Sequence, residues 1–149
     1  MNASNIFVRV AAQIDLSVIA EHVKASLQES SVYRGHIRPV ESFQTTISYV
    51  GGAGDTVFGS VNIASNDSLR WRITHIYVEP VAREISIGDE LLLRCLQDLR
   101  EMKADFVEAD ALPGDRSMKN LFERHGLVAQ TIIVGRSLSG LSTAEHASQ

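Results

Sequence analysis

At 149 residues, with 44% apolar side chains and a formal charge of −4, the chain suits a single folded domain with one core. An acidic balance without a long basic run argues against broad electrostatic binding of nucleic acid. No apolar stretch approaches the roughly 20 residues that a membrane span needs, and the opening MNASNIFVRVAAQIDLS lacks the basic-then-apolar order of a secretory signal. The single cysteine, Cys95, has no partner for an internal disulfide, which fits a reducing compartment. The expectation is a soluble cytoplasmic domain with no membrane or nucleic-acid partner and no metal site.

In chain order, IFVRVA over 6–11 predicts a short strand, and Asp15 a helix N-cap. Leu16, Ile19, Val23 and Leu27 recur at helical spacing and predict an amphipathic helix over 16–29. Residues 30–42 mix Pro, Gly, charge and rings without a period, as a loop does. Two β-rich runs, 43–50 and 56–64, flank GGAGD at 51–55, which predicts a hairpin loop. LRWRITHIYVEP at 69–80 is a strong strand that Pro80 should end. Gly88, Leu91, Leu92, Cys95, Leu96, Leu99 and Met102 predict a helix over about 87–103. A strand at 106–111 and a helix from Asp115 to about His125, stopped by Gly126, come next. QTIIVGRSL at 130–138 completes the set as a last strand. The domain should span 1–138, with a polar tail over 139–149.

Between the strand at 69–80 and the helix at 87–103 lies VAREISIGD. A helix N-terminus there would present free N–H groups to an anion. Ser86 and Asp89 also have the spacing of a capping box, which would use those same groups. Capping and phosphate binding both remain open at this turn. For acid–base chemistry, His75 stands on the strand before the turn and has an ordinary value near neutrality. Packing inside the sheet is its alternative. Glu108 and Asp110 alternate onto one strand face and could attract a cationic amine, or be solvated or capping groups. Cys95 lies on an apolar helix face and reads as core. Tyr33, Arg34, His36, Arg38 and Glu41 fall in the irregular segment.

HIYVEPVAREISIGDELL and FVEADALPGDRSMKNLFERHGL, taken with IFVRVAAQIDLSVIAEHV at the start, resemble the GNAT family of acetyl-CoA-dependent N-acyltransferases. Val78, Arg83 and Gly88 fall at the family's signature positions, and Ser86 replaces its first glycine. Asp115 stands where the family often has Asn, Phe122 where it often has Tyr, and Leu127 where it often has Phe. The likeness runs to about residue 138 and rests on the order and spacing of these motifs together.

The resemblance implies a mixed α/β GNAT-like fold, one mostly antiparallel sheet flanked by helices, and acetyl-CoA as co-substrate. The pantetheine would pair with the backbone of Ile76, Tyr77 and Val78. The pyrophosphate would sit on Arg83, Glu84, Ile85, Ser86, Ile87, Gly88 and Asp89, with Asp115 and Phe122 completing the cofactor side. Asp89 must then point away from the phosphates, because two like charges about 4 Å apart cost roughly 4 kcal/mol at an effective dielectric of 20. His75 would be the base and Asp110 an attractor of the amine. Phe122 has no hydroxyl, so the role of acid falls to Tyr77 or to a water. The acceptor would be a primary amine of a small molecule or a protein. The alternative is a catalytically weak or inactive GNAT-like regulatory or interaction module, which Ser86, Asp89 and Phe122 favour. Exposed edge strands leave room for a homodimer.

Overall fold

The computed structural model describes residues 5–139. Five strands, β1 (Ile6–Val10), β2 (Thr45–Ala53), β3 (Thr56–Ser65), β4 (Arg70–Val78) and β5 (Phe106–Ala109), lie in sequence order in one sheet. The first four pair antiparallel, and only β4 and β5 run parallel. Helices α1 (Leu16–Ser30), α2 (Ile87–Glu101) and α3 (Arg116–Arg124) cover the sheet. This is the expected mixed α/β architecture. No described helix is long and apolar enough to cross a membrane.

The two sheet faces differ in chemistry. On one, Tyr49, Val61, Ile63, Trp71, Ile73 and Ile76 join Ile87, Leu91, Leu92, Cys95 and Leu99 of α2 and Phe122 of α3 in the main apolar core. Each fully buried aliphatic side chain there contributes about 1.5–3 kcal/mol. On the other face α1 packs against β3 and β4. Its buried residues are Ile19 and His22, whereas Leu16 and Leu27 are more than half exposed. The apolar spacing of α1 therefore mislocates its inner face, which turns toward polar groups on the sheet.

Three boundaries depart from expectation. Gly51, Gly52 and Ala53 belong to β2, so the hairpin loop contracts to Gly54–Asp55, with Ala53 opposite Thr56. A Cβ on Gly52 would lie 1.8 Å from the Thr56 carbonyl oxygen, so glycine is there to let the two backbones meet. Asp15 sits at the start of α1 without capping it; its carboxylate accepts from Ala12 N (2.7 Å) and from Arg9 Nη1 (2.6 Å). Residues 130–138 form no strand. Ile132, Ile133 and Val134 are 82%, 84% and 88% exposed. A β-rich composition makes a strand only where a neighbour supplies the ladder, and the four-residue β5 pairs with β4 alone among the described residues. Of the expected polar tail at 139–149, all but its first residue lies outside the described residues.

Gly52→Ala should cost roughly 1–3 kcal/mol or more, because the added carbon meets backbone rather than a movable side chain. Urea denaturation of the variant beside the parent checks this, and an unchanged midpoint would contradict the close approach.

Candidate functional site

A bulge in β4 creates the site. Asn62 pairs with His75 but Ile63 pairs with Ile73, so Thr74 is an extra residue in the ladder. Trp71 and Ile73 before it, and Ile76 after it, face the main core. His75 and Tyr77 are thereby rotated onto the α1 face. The parallel ladder with β5 also stops here, at Ile73 opposite Ala109, and β4 runs on to Val78 without that neighbour. The edge of Thr74–Val78 that β5 has left can receive an extended ligand.

Across the α1 face runs a buried chain of hydrogen bonds. Glu79 Oε2 is 2.9 Å from His22 Nε2. His22 Nδ1 is 2.8 Å from Ser60 Oγ, which is 2.9 Å from His75 Nε2. His22, Ser60 and His75 are 3%, 0% and 8% exposed. The other nitrogen of His75, Nδ1, is buried without a hydrogen-bond partner, as is Oδ1 of its cross-strand partner Asn62. Burial, aided by the charge of His22, pushes the His75 pKa down from 6.5 to about 4. The near-neutral titration expected of His75 is thus displaced, and the ring is neutral at physiological pH. The Tyr77 ring lies 5.3 Å from that of His22 and 5.3 Å from the Arg83 guanidinium. Burial and the charge of Glu29 push its hydroxyl pKa up, so the phenol keeps its proton.

The turn after β4 settles the choice between capping and an open helix end. No side chain caps α2. Ser86 takes the left-handed conformation (φ 69°) that a glycine would adopt more readily; its carbonyl accepts from Glu90 N (3.0 Å), but its side chain makes no bond to the helix. Asp89 turns to α3, where His125 Nε2 is 2.7 Å and Arg124 Nη2 3.1 Å from its carboxylate. Burial opposes its ionisation, but these bonds outweigh it and hold the pKa below the usual carboxylate range. The expected Ser86–Asp89 capping box is therefore absent, and the Asp89 charge is matched by the Arg124 guanidinium at the end of α3. A Cβ added at Gly88 would pack against Val78 and Leu121 at 3.6–3.9 Å without a clash, so the structure does not demand glycine there. Arg83 spans the turn, donating to the Val78 carbonyl (2.8 Å) and to Glu29 (2.7 Å). Glu84 is exposed, Ile85 half-buried, and Ile87 anchors the helix in the core.

The remaining candidates lie apart from the His75 chain. Asp110 accepts from the backbone and guanidinium of Arg38 (2.8 Å each), and Glu108 is 3.0 Å from the same arginine. Burial raises the Asp110 pKa, but the bonds from Arg38 more than reverse this, so Asp110 is an ionised structural anchor for the irregular segment. Asp115 caps α3 through Met118 N (3.2 Å). Phe122 is buried in the main core. Cys95 is buried there too, and burial pushes its thiol pKa far up. No cluster of three metal-binding side chains occurs among the described residues. Neither of two surface grooves, about 500 Å³ between β1 and α2 and about 290 Å³ beside Arg70 and Arg72, is lined by the His75 chain.

Residues 19–127 match the model of the acetyltransferase (GNAT) family. The chain belongs to this family. Among solved structures, the fold is similar to an aminoglycoside acetyltransferase, meta-AAC0020, from an uncultured soil metagenomic sample (TM-score 0.65, 14% identity, 91% of this chain and 97% of that one). It is also similar to AAC(6')-Iy in complex with a bisubstrate analog (TM-score 0.62, 14% identity, coverage 90% and 99%). A third is a protein of Clostridium acetobutylicum described as a predicted acetyltransferase with acetyl-CoA (TM-score 0.65, 15% identity, coverage 89% and 96%). No curated protein sequence matches the chain. At these identities the likeness establishes the fold.

In this GNAT chain, four members of the site carry no motif signal: His22, Ser60, Asn62 and Glu79. His22 is three residues after Ile19 on α1, and that offset was its one trace in the sequence.

Two outcomes follow for stability. Ser86→Gly should stabilise the fold by about 0.5–1 kcal/mol, because the left-handed backbone is kept and no side-chain bond is lost; a lowered melting temperature would contradict the strain. His75 is held neutral in the fold, so the unfolded chain binds the extra proton first. Its contribution is complete above pH 6.5 and is lost as pH falls toward about 4, on the order of 3 kcal/mol in all. Denaturant titrations at pH 7.5 and 4.5 should show that loss in the parent and a much smaller one in His75→Gln.

Proposed function

We propose that this chain transfers the acetyl group of acetyl-CoA to a primary amine by direct attack within a ternary complex. One observation carries the reading: the free edge of β4 beyond Ile73, on the strand that also carries His75, whose buried Nδ1 lacks a partner. The local chemistry fits the co-substrate. Backbone groups of Ile76 and Tyr77 can bond an extended pantetheine amide, although Arg83 already holds the Val78 carbonyl. The N-terminus of α2 carries no side-chain cap and Asp89 is turned to α3, so it suits a pyrophosphate.

Bound acetyl-CoA supplies an acyl carbon open to attack by a neutral amine and a thiolate as leaving group. As the new C–N bond forms, Nδ1 of His75 accepts, directly or through a water, the proton that the amine nitrogen sheds. Tyr77, on the same face and still protonated, donates to the sulfur as the C–S bond breaks. One proton thus passes from nitrogen to the protein and one from the protein to sulfur. The acceptor is an amine that reaches the site unprotonated, or loses its proton on entry, because a base of pKa about 4 does not deprotonate a free alkylammonium. A small-molecule amine, with aminoglycosides as one class, or a protein amine would meet this need in the cytoplasm.

Calorimetric titration with acetyl-CoA should show binding, and thiol release with an amine panel should show turnover. Tyr77→Phe and His75→Gln should each slow transfer by about 10²–10⁴-fold while leaving acetyl-CoA affinity within a few-fold. No heat and no thermal shift at millimolar acetyl-CoA would overturn the proposal in favour of a non-catalytic GNAT-like module.

A further inference from the structure

His22 and Ser60 have no part in the transfer as drawn, yet they are the most thoroughly buried polar groups on the α1 face and bond in series to His75. A hydroxyl has one hydrogen to donate, so Ser60 cannot donate to both rings. The direction of the whole chain follows from one ring. When His22 carries a single hydrogen, on Nε2 facing the Glu79 carboxylate, its Nδ1 is an acceptor. Ser60 then donates to His22 and accepts from Nε2–H of His75. A neutral His75 so arranged has a bare Nδ1. When His22 carries both hydrogens, its Nδ1 donates to Ser60, Ser60 donates to Nε2 of His75, and the single hydrogen of His75 must lie on Nδ1.

We propose that Glu79, His22 and Ser60 form a positioning relay that sets the tautomer of His75, so that loss of a proton from His22 turns the buried His75 nitrogen from a donor into an acceptor for the amine. This rests on the acetyltransfer reading for its catalytic consequence, while the tautomer exchange itself does not depend on it. The bare Nδ1 is buried without a partner, and so is Oδ1 of Asn62, the residue paired with His75 across the ladder. With His22 charged, His75 offers Nδ1–H instead and cannot receive the amine's proton.

The surroundings name the groups that act on the relay. From α1 come His22 itself and Glu29. From β4 and the following turn come Tyr77, Glu79 and Arg83, with Arg83 and Glu29 paired to each other at 2.7 Å. β3 contributes only the neutral Ser60 and Asn62. Asp110 and Glu108 are held by Arg38.

Nitrogen-15 NMR of the full chain labelled at histidine tests this. As His22 loses its proton, the two ring nitrogens of His75 should exchange character, Nδ1 becoming unprotonated and Nε2 protonated, with one hydrogen on the ring throughout. Ser60→Ala should uncouple His75 from His22. If that variant does not fold, Glu79→Gln alters the charge at the exposed end, and any displacement of the His22 midpoint must be matched by His75. His75 signals that stay constant through the His22 titration would overturn the relay. In the transfer assay, the rate should rise about 10²–10⁴-fold from the His22-charged to the His22-neutral plateau, and Ser60→Ala should abolish that limb. Tautomer exchange without transfer to any amine would leave the relay standing and sink the acetyltransfer reading; transfer without exchange would do the reverse.

Discussion

One extra residue in β4 organises this domain. Without the bulge at Thr74, a regular strand would carry Trp71, Ile73, His75 and Tyr77 on one face, and the imidazole would be driven into the apolar core beneath α2. The bulge shifts the phase by one. Ile76 continues the core, while His75 and Tyr77 turn to α1, where Ser60 and His22 receive them. At the same place β5 diverges from β4. The fold thus supplies a polar buried face and an unpaired strand edge at one point, and the candidate site is where they meet.

The polar face is costly unless its members satisfy one another. Each buried hydrogen bond contributes about 0.5–1.5 kcal/mol net, but an orphaned partner costs about 1–3 kcal/mol. This asymmetry explains why α1 spends its inner face on His22 while leaving Leu16 and Leu27 exposed. A leucine at His22 would leave the hydroxyl of Ser60 and the ring of His75 facing hydrocarbon. A second constraint operates at the start of α2. Asp89 sits in the first turn, where a carboxylate would favour the helix dipole but repel a phosphate. Arg124 and His125 draw it toward the end of α3, so one cluster both docks α3 and takes the charge off the helix end.

How much of this could be read from the residues depends on the range of the forces involved. Local periodicity and turn chemistry marked α2, β3, β4 and the Gly126 stop of α3 (φ 85°) closely, because α2 has a strong apolar stripe and glycine alone relaxes into that turn. The same logic failed at Gly51–Ala53. These residues look like a loop, but glycine serves there to let two strands approach closely. It failed at 130–138, where strand composition met no partner edge. At the site, motif order pointed to the turn after β4, and His75 and Tyr77 do fall side by side on one face. Their neighbours His22 and Ser60 are 38 positions apart in the chain and joined only through the fold. Ser86 and Asp89 have perfect capping-box spacing and make no such box, because Arg124 and His125, distant in the chain, hold the Asp89 carboxylate instead.

The acid and the base of the proposed reaction share one strand face. Residues two apart on a strand are about 6.6–6.8 Å apart along it, which leaves room for an acyl carbon between an amine at His75 and a sulfur nearer Tyr77. The two groups are also tuned in opposite directions by the same burial: His75 is held deprotonated and Tyr77 protonated. That opposition puts each group in the protonation state its proposed role uses at neutral pH, while moving both away from the near-neutral values at which proton transfer is most efficient. It also gives Phe122 an account of its own. In the proposed reaction Tyr77 would take the role that a hydroxyl from α3 would otherwise fill, and the Phe122 ring packs in the core that fixes β4 and α2 beside each other.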